Sequence, residues 1–446
     1  MSRSSGSDPA VNDLEKVPAD PPLAAKLDVE AGKPQATSNT YGPTDGGWDA
    51  WGTVLGATLI SMSTFGFVNA FGAFADFYDE IYLKSYSATV IDMVGALQVF
   101  LLYIFAGTAG AVFDAIGPRY LIPLSGVMTI FSLFMLSITK PEKVYQQFLS
   151  QSVLFSLGAG ISFFPLLGLM AHWFKGKLPY AVGCLTAGAS VGGVIFPIMI
   201  AKLVPKIGFG WTIRIFAFIT LTCFTIGAVT IKQRRPSKPF PTSASALFDF
   251  AAFKDPCYTF LALGCWFCVF AVFNPFFYVG LSAEISNPNS SVNGYYLPIL
   301  CATSIVGRVT PGLIATRVGR FNILCVSTIL STILILALWY TSFEQANLIA
   351  FAALYGLASG PFFSVTPACV AEISPIERIG ARMGGTYAFM ASATLAGTPI
   401  SGLFIEDQTK PNFQRLILFS GIMSLVGALL LCVARFIRNK NLLAIA

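Results

Sequence analysis

Arg308 is the residue of this sequence whose position most needs a reason. It lies about fourteen residues into an apolar run and is followed by Pro311 and Gly312. A cation near the centre of a bilayer costs roughly 2.5–3.5 kcal/mol even on lenient insertion scales, so it must face a cavity or a partner. Two roles fit: an anion-binding residue lining a pathway, or a structural residue near one mouth that snorkels or contacts carbonyls. Asp92, early in another apolar run, poses the same question with the opposite sign. It either carries a proton or is a first-turn acid stabilised by the positive end of the helix dipole.

Other chemistry is thinly represented. All nine cysteines fall within or at the edges of apolar runs, and the close pair Cys265 and Cys268 has no second pair or histidine near it. They read as small apolar residues in helix packing, not zinc ligands. A single histidine, His172, removes His-based metal sites and Ser/His/Asp triads from consideration. No glycine loop followed by Lys-Ser/Thr is present to cradle a nucleotide, and no paired acids lie inside the apolar runs. Catalytic residues, metals and cofactors are therefore not expected, and the chain does not read as an enzyme.

The elements that must position these residues are set by composition. Hydrophobic residues make up 55% of the chain and charged residues 11%, with 40 phenylalanines in 446 positions. Soluble domains carry about 25% charged residues, so this chain needs a lipid bilayer as its partner. The net charge of +6 could suggest nucleic acid, but the basic residues sit in short loops, where they set membrane topology. Twelve apolar segments, each near the roughly 20 residues a bilayer requires, are expected at about 50–75, 88–111, 121–138, 145–170, 180–203, 212–231, 257–281, 294–315, 322–340, 346–370, 383–403 and 414–436. Residues 1–47 form a polar tail expected to be disordered, 48–231 a first six-helix half, 232–255 a linker, 256–436 a second half and 437–446 a short tail. Lys and Arg number nineteen on the side shared by both tails and the linker and eight on the other, which predicts cytoplasmic termini. The sequon at Asn289 falls on the outer side and is the expected glycosylation site.

The two halves are copies. Gly110, Asp114, Gly117 and Arg119 close one polar loop, and 202 residues later Gly312, Thr316, Gly319 and, one position earlier in that copy's spacing, Arg320 close another. The same offset relates Gly158 to Gly360, Pro165 to Pro367 and Pro197 to Pro399. A period this long excludes solenoids and propellers. The Gly110-xxx-Asp114-xx-Gly117-x-Arg119 pattern resembles the loop motif of the major facilitator superfamily. That resemblance implies an all-α membrane protein with twelve transmembrane helices in two pseudo-symmetric halves. It also implies a gating role for both loops, weaker in the second because Thr316 replaces the acid. In that superfamily helices 1, 4, 7 and 10 line the cavity, which brings Asn69, Phe65, Asn274, Tyr278, Tyr355 and Ser364 in as substrate contacts beside Arg308 and Ser304.

A narrower resemblance rests on two stretches, Asp45-Gly46-Gly47-Trp48-Asp49-Ala50-Trp51 and Trp173-Phe174-Lys175-Gly176-Lys177. They are similar to the first-helix and fifth-helix signatures of the monocarboxylate transporters, in the style of their fungal branch. The departures are specific. Asn69 stands where the proton–lactate members have a lysine, and Ser304 stands one turn before Arg308 where they have an acid. Two residues expected to couple a proton to a carboxylate are thus missing, leaving Asp92 as the coupling candidate. The expected function is secondary transport of a small organic acid or anionic metabolite, with or without protons, by a monomer in the plasma membrane. The alternative is efflux of a secondary metabolite; a non-transporting membrane sensor is the third reading.

Overall fold

In hydrocarbon each unpaired backbone N–H or C=O costs several kcal/mol, and a helix satisfies all of them locally. The computed structural model describes residues 45–234, 249–290, 292–375, 378–405 and 409–440. Within them the apolar runs are helical throughout. The first, α1, runs through Trp48–Ser63, Phe65–Asn69 and Phe71–Phe77 to a π turn at Tyr78–Tyr82. Next, α2 joins Ala88–Ile104 to Ala106–Ile116 with a 45° bend, and α3 is Pro118–Ser137. Val144–Gln147, the π segment Phe148–Leu154 and Phe155–Trp173 make α4. Leu178–Thr230 is helical for 53 residues apart from Gly208 at φ 79°, where it folds back, so it supplies α5 (178–207) and α6 (209–230).

In the second half α7 joins Pro256–Val272 to Asn274–Ser286, and α8 is Tyr296–Val318. Arg320–Leu334 and the π turn Ile335–Trp339 form α9. Gln345–Glu372, Ile379–Leu403 and Lys410–Arg438 are α10, α11 and α12. Among the described residues nine helices, or ten with the bent α2 as one span, are long and apolar enough to cross a membrane. The folded-back Leu178–Thr230 is one of these and supplies two crossings, and α11, with 25 residues rich in Gly, Ala, Ser and Thr, completes twelve. Residues 1–44, most of the expected linker and the last six positions lie outside the described residues.

The two polar loops turn as their glycines require. Gly117 (φ 82°) and Gly319 (φ 92°) adopt a conformation open to glycine and costly for other residues, and each is followed at once by the next helix. Arg119 is exposed beside the first turn. Arg320 lies 3.7 Å from Glu372 and donates to the Ala368 carbonyl at 3.3 Å. The second loop therefore ties α9 to α10 inside its own half, rather than one half to the other.

The halves meet along α2–α11, α5–α8 and α1–α7, and small residues decide how closely. A Cβ placed on Gly384 would sit 2.3 Å from Gly107 Cα, and one on Gly312 would sit 2.4 Å from Tyr180 Cα. Both would overlap backbone, so these contacts exist only with glycine. The glycines of α5 divide between the two halves. Gly188 lies against the Thr58 carbonyl and Gly192 against that of Met62, packing α5 on α1 within the first half. Gly183 and Gly193 do face the second half, at the Arg308 carbonyl and the Cys301 thiol.

Two signatures 130 residues apart form one joint. The Asp45 carboxylate accepts the backbone N–H groups of Lys175 (2.6 Å) and Lys177 (3.2 Å), and Asp45 N–H donates to the Trp173 carbonyl. Trp51 packs on Phe174 and Tyr180 at ring separations of 5.2 and 5.8 Å. The Trp173 indole donates to the Lys232 carbonyl at 3.0 Å, and Lys232 pairs with Asp49. Partial burial works to raise the Asp45 carboxyl, but donation from the Lys175, Lys177 and Gly176 N–H groups outweighs it and holds the group below its usual value. A carboxyl held low stabilises the fold above its unfolded value of about 3.9, and that contribution is lost as pH falls through the lowered folded value. Asp45→Asn should therefore cost up to about 1 kcal/mol at pH 7, discounted for solvent screening, and nothing at an acid pH below the lowered folded value, where the group is protonated in both states. Thermal unfolding in detergent at the two pH values measures the difference.

Candidate functional site

The bundle encloses a cavity of about 20 Å³, measured as room for the centre of a water-sized sphere. A single water needs about 10–15 Å³ by that measure, so the cavity holds about one water and no organic molecule. Every residue lining it except Phe363 is buried. Arg308, 1% exposed, is the one charge on its wall. The rest of the lining is mostly aromatic: Phe65 from α1, Tyr103 from α2, Phe163 and Phe164 from α4, Phe362 and Phe363 from α10, and Tyr387 from α11.

The guanidinium is held at three points. Nε donates to Ser304 Oγ one turn earlier at 3.1 Å, and Nη1 donates to the Thr186 carbonyl of α5 at 2.8 Å. Its Cζ stands 4.6 Å from the centre of the Phe363 ring, a cation–π distance. Nη2 is buried without a hydrogen-bond partner, and among the described residues no carboxylate pairs with Arg308. Ser304 also receives the Ser190 hydroxyl at 3.3 Å. Arg308 thus bridges the halves and keeps one donor unspent beside the cavity. A buried cation with a free N–H and no counter-ion is a site for an anion or a strong acceptor.

Of the residues expected to touch substrate, Phe65 and Arg308 line the cavity and Ser304 supports Arg308. Asn69 donates to the Ala189 carbonyl at 3.3 Å, one turn away along α1. Asn274 donates to Ser420 Oγ at 2.6 Å, fixing α7 to α12. Ser364 donates to the Pro361 carbonyl within α10 at 3.5 Å. Tyr355 donates to the Val272 carbonyl at 3.3 Å, at the break that Pro275 imposes on α7, and stacks on Phe351. Tyr278 donates to Asp92 Oδ2 at 2.7 Å and approaches the Thr398 carbonyl at 3.1 Å. Asp92 lies beyond the first turn of α2 and is 4% exposed. It is a contact between halves, which corrects its reading as a helix-dipole acid.

α7 contributes nothing to the lining, while α2, α5, α8 and α11 do. Its rings pack into its own half and onto α1, Phe273 against Phe363 at 6.0 Å and Phe277 against Phe71 at 5.2 Å. Tyr103, Phe164, Thr186, Phe363 and Tyr387 were not singled out by sequence. The repeat held a clue for one pair, since Phe164 and Thr366 differ by the same 202 positions, each precedes a paired proline, and both line the cavity. The cysteines are all free, and among the described residues no group of His, Cys, Asp or Glu could hold a metal.

Twelve helices in two halves, closed over a midplane cavity with one buried cation, define an alternating-access membrane transporter. The sequence profile of the Major Facilitator Superfamily matches residues 53–347 and 303–444, and the chain belongs to that superfamily. The Aspergillus flavus MFS transporter asaE is 36% identical over 417 residues, covering 93% of each chain. The agnestins efflux protein AgnL12 of Paecilomyces divaricatus is 33% identical over 430 residues, covering 96% of each. The aspyridones efflux protein apdF of Emericella nidulans is 34% identical over 395 residues, covering 88% of this chain and 79% of that one. In fold the chain is similar to the crystal structure of the human organic anion transporter MFSD10, with a TM-score of 0.66 and 14% identity over 86% of this chain and 98% of that one. These relatives back the efflux reading over the organic-acid reading. The monocarboxylate resemblance is not specific among them.

If Tyr355 serves the α7 break rather than the substrate, Tyr355→Phe should cost about 1 kcal/mol of stability and leave transport intact. A thermal unfolding midpoint in detergent and a transport assay check the two halves of that statement. Lost transport at unchanged stability would place Tyr355 on the substrate path.

Proposed function

We propose that the chain exports an anionic, aromatic-bearing small molecule made inside the cell, by rocking its two halves about the Arg308 cavity. The observation that carries this reading is the buried guanidinium with an unpartnered Nη2 among aromatic rings. Such a wall offers stacking faces for a planar body and one charge-assisted hydrogen bond for its acidic group. It suits a sugar or a cation poorly. The names of the relatives supply the direction, since two of those given are efflux proteins.

The same reading places the face bearing Lys175, Lys177, Arg317, Arg320, Arg378 and Arg382 in the cytoplasm, with both termini, because basic loops stay inside. Asn289, exposed in the loop after α7, then faces outward as the proposed glycosylation site. Residues 48–231 and 256–436 are the moving bodies, and a monomer in the plasma membrane suffices. The two loops at Gly110–Arg119 and Gly312–Arg320 act as hinges of the inner face, and Asp92 is the proposed proton carrier. The joint between Asp45 and the Lys175–Lys177 loop supports monocarboxylate-transporter-like ancestry, with the cargo changed along with Asn69 and Ser304.

Deleting the gene in the source organism should trap one or more acidic aromatic metabolites in the cells and deplete them from the medium, as read by mass spectrometry. Arg308→Ala should reproduce that loss at normal protein level. A hydrogen bond to a charged group is worth about 1.5–3 kcal/mol, so the export rate should fall about 10- to 150-fold. Unchanged export by Arg308→Ala would overturn the assignment.

A further inference from the structure

A buried tyrosine hydroxyl usually finds an acceptor, and most of those in this fold do. Tyr78 donates to Gln151, Tyr278 to Asp92, and Tyr82, Tyr258 and Tyr355 to backbone carbonyls. Tyr296 has no acceptor, and its hydroxyl is sealed inside the protein. Tyr103 and Tyr387 differ from both groups. Among the described residues their hydroxyls bond to nothing, yet they are not sealed, and both side chains line the Arg308 cavity.

The two come from opposite halves, Tyr103 from α2 and Tyr387 from α11, with ring centres 5.4 Å apart. Phe164 meets Tyr387 at 4.7 Å, and one turn nearer the basic face Gly107 lies against Gly384. Arg308 Nη2 is the third donor of this wall without an acceptor. Thr186 and Thr366 already spend their hydroxyl protons on carbonyls of their own helices. Three unspent donors on three helices thus surround a space with room for about one water. A molecule that displaces that water must replace its hydrogen bonds, so it must bring oxygen atoms. Toward the other face the surroundings change sign: Asp92 meets Tyr278 between the halves, and Asp76 stands near Asp79, Glu80, Asp92 and Glu284. Like charges repel, so an anion in the cavity keeps its charged end away from this rim and beside Arg308 and the two tyrosines.

We propose that Tyr103 and Tyr387 are specificity-determining residues that, with Arg308, read the acid group of the cargo as a planar oxyanion whose charge is shared by two oxygens, as in a carboxylate. This rests on the cargo reading under Proposed function and narrows it. One oxygen takes the free Arg308 N–H and the other takes the tyrosine hydroxyls, so the anion joins α2 to α11. A cargo with a single neutral oxygen at that end leaves buried donors unpaired and is rejected.

The full-length protein, purified in detergent, is titrated at neutral pH with β-naphthoate and with β-naphthylmethanol, which keeps the rings but carries one neutral oxygen. Each hydroxyl supplies a hydrogen bond to a charged group, so wild type should prefer naphthoate by about 100-fold, and Tyr103→Phe and Tyr387→Phe should each lower that preference about tenfold. Phenylalanine keeps the ring contacts and leaves no protein acceptor unpaired, so both variants should unfold at the wild-type temperature without ligand. Tyr355→Phe is the contrast, losing stability and keeping the preference. A wild-type preference in either Tyr103→Phe or Tyr387→Phe overturns the proposal. So does a lowered unfolding temperature of the ligand-free variants, which would assign the hydroxyls to the fold. Arg308→Ala separates the two readings: if it abolishes the preference while the tyrosine variants keep it, the cargo assignment stands and the tyrosine assignment fails. If Arg308→Ala keeps the preference, the cargo assignment fails, and a wild type with no preference overturns both.

Discussion

Helices in a membrane can approach one another only as closely as their side chains allow, and here the two halves touch at backbone distance. Gly384 on Gly107, Gly312 on Tyr180 and Gly183 on the Arg308 carbonyl leave no room for a methyl group. Lipid offers no hydrophobic drive for helices to associate, so close packing of this kind supplies the attraction. It is also reversible, because a glycine seam separates without unthreading side chains. Everything else in the site depends on that proximity.

The proximity explains how a charge survives at the midplane. Arg308 could not be held by its own helix alone, because Ser304 offers a single oxygen. The Phe363 ring of its own half adds a cation–π contact, and the Thr186 carbonyl from the facing half completes its surroundings only while the halves are together. As they separate, the guanidinium loses the carbonyl and gains access to whatever enters. The same motion that opens the cavity therefore frees its one strong donor, which links binding to conformational change through a single residue.

The gates divide the work by chemistry. Tilted aromatic contacts and a glycine contact close one side through area and shape. A carboxylate–hydroxyl contact closes the other, under an acidic rim. The repeat in the sequence already hints at this asymmetry, since 202 residues away in the other copy Asp92 has Gly294 and Tyr278 has Asp76.

Much was legible in the sequence by itself. The scarcity of charge demanded a membrane, the spacing of apolar runs set twelve helices, and the 202-residue offset revealed two halves. Arg308 stood out because a lone charge in a long apolar run has no cheap alternative. These conclusions follow from local energetics: backbone satisfaction, span length and the cost of burying charge are properties of a segment. Which phenylalanines line the cavity was decided by tertiary structure. Phe65, Phe163 and Phe363 differ from their many neighbours only in helix rotation and in what packs behind them, and neither is written in a stretch that is apolar on every face. For the same reason Asn274 and Tyr355 turned out to bind helices together, Ser364 bonded back to its own helix, and Asp92 met Tyr278 across 186 positions. Partners that distant are chosen by how two bodies dock, and only the folded chain shows that.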